Sequence, residues 1–351
     1  MSGGVDSSVA AALLVEQEYD VVGMMLKLWT GECELEANAC CTPESIGEAR
    51  SVAVALNIPF YVIDAKDIFK QHVVDQFISS YQRGLTPNPC FICNQTVKWE
   101  YLLSKANQIG ADYLATGHYA QIIEDEVHVY HLLKGIDEQK DQSYILAGLT
   151  QKKLCRTLLP LGKLKKNDVR EIAVRYCFNV ARKPDSQDLC FTGKSGYRAF
   201  LATYGSQEKS PGVIRNVAGE TVGEHQGLAS YTIGQRKGLG SGYKVPQYVI
   251  SKNIDLNELV IGTEDQLGSK SFQVSQINWI SGFAPTHPKE YWVKIRYKAN
   301  PVLCSVEDIN ADALNIVVEN KIRDATPGQI AVFYDDNEVI GSGVIISTEG
   351  E

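Results

Sequence analysis

The sequence predicts an α/β protein in which a parallel β-sheet with helices on both faces occupies residues 1–204. A small β-rich domain is predicted over 205–270 and a C-terminal β-barrel over 271–351. The first prediction rests on apolar strand-like runs that alternate with helix-like segments near the N-terminus. The predictions of the β-rich domain and the barrel rest on a change in composition after about residue 205, where Gly, Val, Thr and Tyr dominate and turns are frequent.

The elements follow in order along the chain. In the first domain, strands are predicted at 19–26, 58–64 and 112–117, and helices at 44–56, 67–81, 94–109, 151–159 and 167–177. Residues 121–133 alternate like a hairpin. In the last domain, residues 292–297 and 329–334 are predicted strands. The first of these would place Lys294, Arg296 and Lys298 on one basic face.

Composition limits the class of protein. The 351 residues are 44% hydrophobic and 22% charged, as in ordinary globular proteins. Neither a membrane-spanning run nor a signal peptide is expected. Nine Cys at irregular spacing indicate reduced thiols, so we expect a cytoplasmic protein without a membrane partner. The net charge of −8 means that any contact with RNA has to be local.

Residues 2–8 (SGGVDSS) are the most informative stretch. The glycines permit a tight turn, and the residues after them open a helix whose free N–H groups favour an anion. No Lys follows the glycines, so the loop is not a Walker A loop. It resembles the pyrophosphate loop of the ATP pyrophosphatases, and an ordinary helix cap is the alternative. The resemblance implies phosphate contacts from Ser2, Gly3, Gly4, Val5, Asp6, Ser7 and Ser8.

A loop of this kind follows a β-strand that aims it, but only Met1 precedes Ser2. The expected first strand, which would be central in the sheet, therefore has no sequence here. We expect the natural protein to begin upstream, with roughly five to ten further residues rich in Val and Ile.

Two other segments carry cysteines. In residues 86–94 (TPNPCFICN), the prolines disfavour helix before Cys90 and place Cys93 at a helix start, which favours a thiolate. This C-x-x-C pair is redox-active, metal-binding or incidental, and zinc is the weaker interpretation because no second pair exists. In residues 185–191 (DSQDLCF), polar neighbours suit a reactive Cys190, although free Cys is commonly a small buried hydrophobe.

Further motifs occur in the same chain order as in a known family. Residues 116–119 (TGHY) follow a predicted strand, where a His either contacts a ligand or is bonded locally. Together with residues 140–144 (KDQSY), 223–227 (GEHQG), 234–240 (GQRKGLG) and 326–329 (TPGQ), the chain resembles the bacterial tRNA-specific 2-thiouridylases over nearly its whole length. The resemblance implies that ATP, with Mg²⁺, adenylates O2 of the wobble uridine in Lys, Glu and Gln tRNAs. A persulfide sulfur then displaces AMP, so tRNA and a persulfide donor protein are the implied partners.

The resemblance also assigns roles to single residues. Cys190 matches the persulfide carrier, and Cys93 matches the nucleophile that releases the sulfur through a transient Cys93–Cys190 disulfide. Leu26 would lie by the adenine and Gly117 would line the ATP site. Contacts with tRNA are implied for Asn88, Pro89, Cys90, Lys140, Asp141, Gln142, Arg296 and Tyr297.

Cys90 departs from the family pattern, because many members have an Asp there that is assigned an acid/base role. Cys90 either substitutes for that Asp or joins Cys93 and Cys190 in a three-thiolate set, which would suit a [4Fe–4S] cluster with one open iron. We prefer the persulfide mechanism. Two other functions stay open: another ATP pyrophosphatase, such as a cluster-dependent tRNA thiolase, and a non-catalytic tRNA-binding remnant.

Overall fold

The computed structural model describes residues 1–31, 42–185, 189–193, 196–205, 210–240, 243–285, 290–310, 312–323 and 325–348. Residues 186–188 of the Cys190 motif and the adjacent pair Cys40–Cys41, to which we assign no role, lie outside this part. Within it, no helix combines the length and the apolar character needed to cross a bilayer.

Helices dominate the N-terminal region. In chain order, α1 to α10 are Val5–Glu16, Pro43–Ala55, Lys66–Phe69, Asp75–Gln82, Pro89–Cys93, Leu103–Gln108, Ser143–Leu146, Gln151–Leu154, Lys166–Arg175 and Gly196–Tyr204. Wider π-helical segments, Lys70–Val74 and Asn94–Leu102, join α3 to α4 and α5 to α6. Each of these two rods is therefore one continuous helix. The apolar stripe at 67–81 predicts the first rod, and the helix predicted at 94–109 forms the larger part of the second.

Strands β1 to β16 are Gly23–Lys27, Phe60–Asp64, Leu114–Ala115, Ala120–Glu124, Tyr130–Lys134, Thr157–Leu158, Gly212–Asn216, Thr221–His225, Tyr248–Asn253, Glu258–Gly262, Ser269–Trp279, Glu290–Lys294, Val302–Asn310, Ala313–Ile322, Ile330–Asp335 and Glu338–Thr348. The first region contains parallel pairs, β1 with β2 and β3 with β6. The middle region is a sheet in the order β8-β7-β10-β9. The predicted α/β fold class is confirmed.

The C-terminal strands close into a barrel. Their order is β11-β14-β13-β12-β15-β16, and β11 also pairs with β16, which completes the ring. Alternate residues point inward, and Val274, Val293, Ile316 and Phe333 are almost fully buried there. The predicted strand at 292–297 is too long, because β12 ends at Lys294. Arg296 and Tyr297 therefore follow the strand and do not share a basic strand face with Lys294.

The hairpin predicted at 121–133 exists as β4–β5, but it belongs to the barrel sheet. β5 pairs antiparallel with β16, with Leu133 opposite Glu338 and Leu132 opposite Val339. A shared core follows from this pairing. Trp99 and Tyr144 of the first region and Val332 of β15 lie in one buried cluster with Leu132.

The helix that carries the C-x-x-C pair begins earlier than predicted. Asn88 is the N-cap, and its Oδ1 accepts a hydrogen bond from the backbone N–H of Phe91 at 3.1 Å. Pro89 takes the first helical position, where a missing N–H costs little. Cys90 therefore lies in the first turn, and Cys93 lies one turn later instead of at the helix start.

The predicted helix at 151–159 is also too long. Helix α8 ends at Leu154, and Thr157 lies in β6, opposite Leu114 of β3. Thr157 is buried, and its hydroxyl oxygen accepts a hydrogen bond from the indole N–H of Trp99 at 2.6 Å. Pairing with β3 and this buried contact outweigh the local helical pattern.

Candidate functional site

The loop before α1 is held in one tight conformation. Gly3 has φ +71°, and a Cβ there would lie 2.5 Å from the carbonyl oxygen of Ser45 in α2, so only glycine fits. Ser7 Oγ accepts from the Ser2 N–H at 3.0 Å and donates to the Gly4 carbonyl at 3.2 Å. The Ser8 hydroxyl donates to the same carbonyl at 2.9 Å. The turn thus leads into α1 with the helix N–H groups at its start, an arrangement suited to phosphate.

Residues 116–119 pack directly on this loop. A Cβ on Gly117 would lie 2.7 Å from the carbonyl carbon of Asp6 and 2.9 Å from the backbone nitrogen of Ser7. The Tyr119 hydroxyl donates to Asp6 Oδ1 at 2.7 Å. Burial, and then the bond to Asp6, raise the pKa of Tyr119, so it stays a neutral donor. Two sequence motifs separated by more than a hundred residues therefore meet.

A network of ion pairs extends from Asp6. The Lys166 ammonium, only 10% exposed, lies 2.7 and 2.9 Å from the two carboxylate oxygens of Asp6. It also lies 2.8 Å from Asp185 Oδ1. Asp185 pairs in addition with Lys140 at 2.7 Å and with Arg170 at 3.0 Å. Burial acts to raise the pKa of Asp185, but the bonds from Lys140 and Lys166 outweigh it and hold the pKa at about 2.

This network links three segments that are far apart in the sequence: the loop at 2–8, the segment at 140–142 and the start of the Cys190 motif. Lys166 and Asp185 are not among the predicted site residues. Asp185 lies inside a quoted motif, which is a usable signal. The sequence around Lys166 contains no comparable signal. Its partner Asp6 lies 160 positions earlier in the chain, so local sequence cannot reveal the ion pair. Lys183 adds a further tie, since its ammonium donates to the Gly3 carbonyl at 3.1 Å.

Two of the three motif cysteines border one apolar cluster. Cys93 and Cys190 are partly buried against the cluster that contains Phe77 and Phe191, whereas Cys90 is exposed. The ring of Phe191 meets that of Phe77 edge-on at 5.2 Å between centroids, which anchors the chain next to Cys190. None of the three thiols is in a disulfide.

The structure tests whether these thiols form a ligand set. In the described ranges, no group of three or more His, Cys, Asp or Glu side chains is arranged to hold a metal ion. Cys90, Cys93 and Cys190 are therefore not assembled as the ligand set of an iron–sulfur cluster in this conformation.

The segment at 140–142 is held by its own side chains. Asp141 is buried, and its carboxylate accepts from the Gly135 N–H at 3.0 Å and from the Ser143 hydroxyl at 2.9 Å. The Asp141 carboxylate is therefore bonded within its own turn. The Gln142 N–H donates to the Tyr119 carbonyl at 2.8 Å, and Gln142 Oε1 accepts from the Tyr119 N–H at 3.1 Å. Lys140 projects to Asp185.

The remaining predicted residues lie where the barrel meets the first region. Arg296 donates to the Thr326 hydroxyl at 3.2 Å, and the Tyr297 ring lies 6.5 Å from that of Tyr144. The Tyr144 hydroxyl donates to the Ile330 carbonyl at 2.8 Å, and Asn88 lies near the same hydroxyl. Tyr144 therefore lies close to two residues that are predicted to contact tRNA. Pro89 is buried behind them. Leu26 is half-buried on β1, between the shared core and the cysteine cluster.

Comparison with known proteins places the whole chain in one family. The tRNA methyl transferase HUP domain matches residues 1–194, its PRC-barrel domain matches 198–263, and the aminomethyltransferase beta-barrel domain matches 269–345. The tRNA-specific 2-thiouridylase MnmA of Carboxydothermus hydrogenoformans is 43% identical over 349 residues, which are 98% of this chain and 96% of that protein. The MnmA of Symbiobacterium thermophilum is 44% identical over 352 residues, with 98% and 90% covered. The chain therefore belongs to the tRNA-specific 2-thiouridylase MnmA family.

Proposed function

We propose that this chain is a tRNA-uridine 2-sulfurtransferase that uses ATP to thiolate the wobble uridine of Lys, Glu and Gln tRNAs. The observation that carries the proposal is the convergence at Asp6, Lys166 and Asp185 of the phosphate loop, the 140–142 segment and the Cys190 motif. In this division of labour, residues 1–204 perform the chemistry, 205–270 form a small central domain and 271–351 help to bind tRNA.

ATP is the nucleotide that fits the HUP-domain match, and Ser2 to Ser8 would hold its phosphates. Leu26 would lie beside the adenine, and Gly117, which packs against Asp6 and Ser7, would line the ATP site. Mg²⁺ would suit this site because it commonly takes one or two carboxylates together with substrate phosphates, and Asp6 supplies a carboxylate beside the loop. Its contribution would be to offset phosphate charge.

The reaction balances in two stages. O2 of the uridine bonds to the α-phosphorus of ATP, pyrophosphate leaves, and N3 of the base gives up its proton. The outer sulfur of a Cys190 persulfide, supplied by a donor protein, then bonds to C2, and AMP departs with the oxygen. The Cys93 thiolate attacks Cys190 Sγ, which releases 2-thiouridine as N3 regains a proton. The resulting Cys93–Cys190 disulfide needs an external dithiol reductant.

Partial burial beside one apolar cluster supports this assignment of Cys93 and Cys190. The exposed Cys90, in the first turn of α5, is left to the acid/base position. A cluster-dependent thiolase is the second candidate because Cys90 supplies a third thiol, and it would require the three thiols to move together from the arrangement described above. Under that mechanism Cys90 would be as indispensable as the other two.

Three substitutions test the proposal. Purified protein, ATP, Mg²⁺, a persulfide donor and unmodified tRNA are incubated, and tRNA nucleosides are measured by mass spectrometry. We expect Cys190→Ser and Cys93→Ser to abolish 2-thiouridine, and Cys90→Asp to keep substantial activity in air. Cys177→Ser, at an exposed thiol outside the motifs, is the matched control.

An inactive Cys90→Ser variant, together with brown anaerobic protein that needs iron and sulfide, would replace the persulfide mechanism with the cluster mechanism. A wild-type protein that binds tRNA but releases neither pyrophosphate nor thiolated nucleoside would instead favour the non-catalytic function.

A further inference from the structure

Lys98 places an ammonium group beside the 116–119 segment. It lies in the π-helical segment Asn94–Leu102, and its Nζ is 3.3 Å from Nε2 of His118. His118 is only 7% exposed. Burial, and then the charge of Lys98, lower the pKa of His118 well below its ordinary value, so the imidazole is neutral near pH 7.

The neutral imidazole fixes the direction of both hydrogen bonds. An ammonium can only donate, so Nε2 of His118 accepts from Lys98. Nδ1 then carries the proton and donates to the Thr116 hydroxyl oxygen at 2.7 Å. The Trp99 ring lies 5.7 Å from the imidazole, and its indole N–H is bonded to Thr157. His118 is thus held firmly and in turn holds the Lys98 ammonium in place.

The charge of Lys98 has no carboxylate partner among the described residues. By contrast, Lys166 pairs with Asp6 and Lys183 pairs with Glu48. Lys98 is partly buried, and its ammonium group contacts an imidazole instead of a carboxylate, so the position suits a bound anion as its counter-ion. Two of its three N–H groups are available for such an anion.

The ammonium lies between the two halves of the proposed site. His118 directly follows Gly117, which packs against Asp6 and Ser7 of the phosphate loop. On the other side, Lys98 is one wide helical turn after Cys93 on the same rod. The Lys98 ammonium is therefore next to the segment that packs on the phosphate loop, and it projects from the helical rod that carries Cys93.

We propose that Lys98 is a catalytic residue that contacts the phosphate of the adenylated uridine, and that His118 is the positioning residue that aims it. This inference rests on the proposed function. When sulfur bonds to C2, the C2–O bond to AMP breaks and its electron pair moves onto the phosphate oxygen. A fixed cation at that oxygen stabilises AMP as the leaving group, most strongly where the charge develops.

Lys98→Met keeps the length of the side chain and removes its charge. We expect kcat for thiolation to fall by about 10²–10³-fold, the range for losing one preorganised donor, with the tRNA dissociation constant and Tm close to wild type. Lys98→Arg should retain far more activity. The control is Lys105→Met on the same rod, where the ammonium contacts Gln108 and the Tyr101 ring.

A Lys98→Met variant with wild-type kcat, or with its loss confined to tRNA binding, would overturn the proposal. Wild-type protein is assayed first. If it fails to thiolate at all, the proposed function has failed instead, whatever Lys98 does.

The role of His118 is separable. His118→Gln retains a hydrogen-bond acceptor for Lys98, whereas His118→Leu does not. We expect the Leu variant to match Lys98→Met in kcat and the Gln variant to recover part of the activity at similar Tm. Equal loss in both variants, with Tm lowered equally, would show that His118 only supports the fold and does not position Lys98.

Discussion

Asp6 contributes to the site through its charge. Its carboxylate accepts from Tyr119 and pairs with Lys166, which itself keeps a second partner in Asp185. Asp6→Asn preserves shape, so we expect loss of AMP formation with tRNA binding nearly intact. Asp20→Asn, at an exposed position beyond the end of α1, is the control. Pyrophosphate release and filter binding measure the two effects, and unchanged ATP consumption would rule out a phosphate-site role for Asp6.

At this scale the sequence identifies the groups but not their partners. The loop at 2–8, Gly117 and the cysteines Cys93 and Cys190 can be selected from motifs, because the required chemistry is local. The Lys166–Asp185 and Lys98–His118 pairs cannot, since each depends on how distant segments cross. The burial of Asp141 also cannot be predicted from the sequence. An Asp in a polar segment is expected to be an exposed charge, whereas this carboxylate accepts hydrogen bonds from Ser143 in its own turn.

A histidine joins the β4–β5 hairpin to the barrel. His131 Nδ1 lies 2.6 Å from Glu338 of β16, and its Nε2 lies 3.2 Å from Asp125 in the hairpin turn. The bond to Glu338 is the main cause that raises the pKa of His131. A raised folded-state pKa means that this stabilisation is complete below the unfolded value, about 6.5, and is lost as pH rises through the folded value.

We therefore expect Tm to fall as pH rises above about 6.5 in wild type and to stay flatter in His131→Gln. The group is partly exposed, so the effect should be about 1 kcal/mol at most, or about 1–2 °C in a protein of 351 residues. His72→Gln, which lacks an ion pair in the described structure, is the control. Parallel pH curves for wild type and His131→Gln would contradict this account.

Element types follow from periodicity more reliably than their limits and neighbours do. The stripe at 67–81 predicts one helical rod, and the structure has one, although it widens to π geometry at Lys70–Val74. The predicted start of the second rod is too late. Asn88 caps the helix and Pro89 occupies its first position, so the helix begins before Cys90. The hairpin is recognisable from alternation, but its pairing with β16 depends on a strand two hundred residues away.

The first region and the barrel are joined by buried polar bonds as well as by apolar contact. The Asn278 amide of β11 donates to the carbonyls of Ala147 at 2.9 Å and Leu149 at 3.1 Å. Asn278→Ala would leave both carbonyls without that donor, so we expect a loss of about 1–3 kcal/mol in the free energy of unfolding. Urea denaturation measures it, with the exposed Gln139→Ala as control.

Because Trp99 lies in the shared core and Trp279 lies on the barrel side, fluorescence reports on both regions. One transition is expected in wild type and in the variant. Separate transitions for the barrel and the first region would show that the contacts between these two regions do not make them unfold together. The order of the regions is visible in the sequence, whereas the shared core is not, since each side supplies only half of an apolar surface.

The addition of β5 to β16 has a consequence for synthesis. β5 is translated some two hundred residues before β16, the strand that extends its sheet. Until then, the apolar faces of Leu132 and Tyr144 lack their covering from β15 and β16. The first region thus depends on β15 and β16 for its final packing. We expect it to reach that packing only after both strands have been translated, which makes the growing chain a natural client for chaperones.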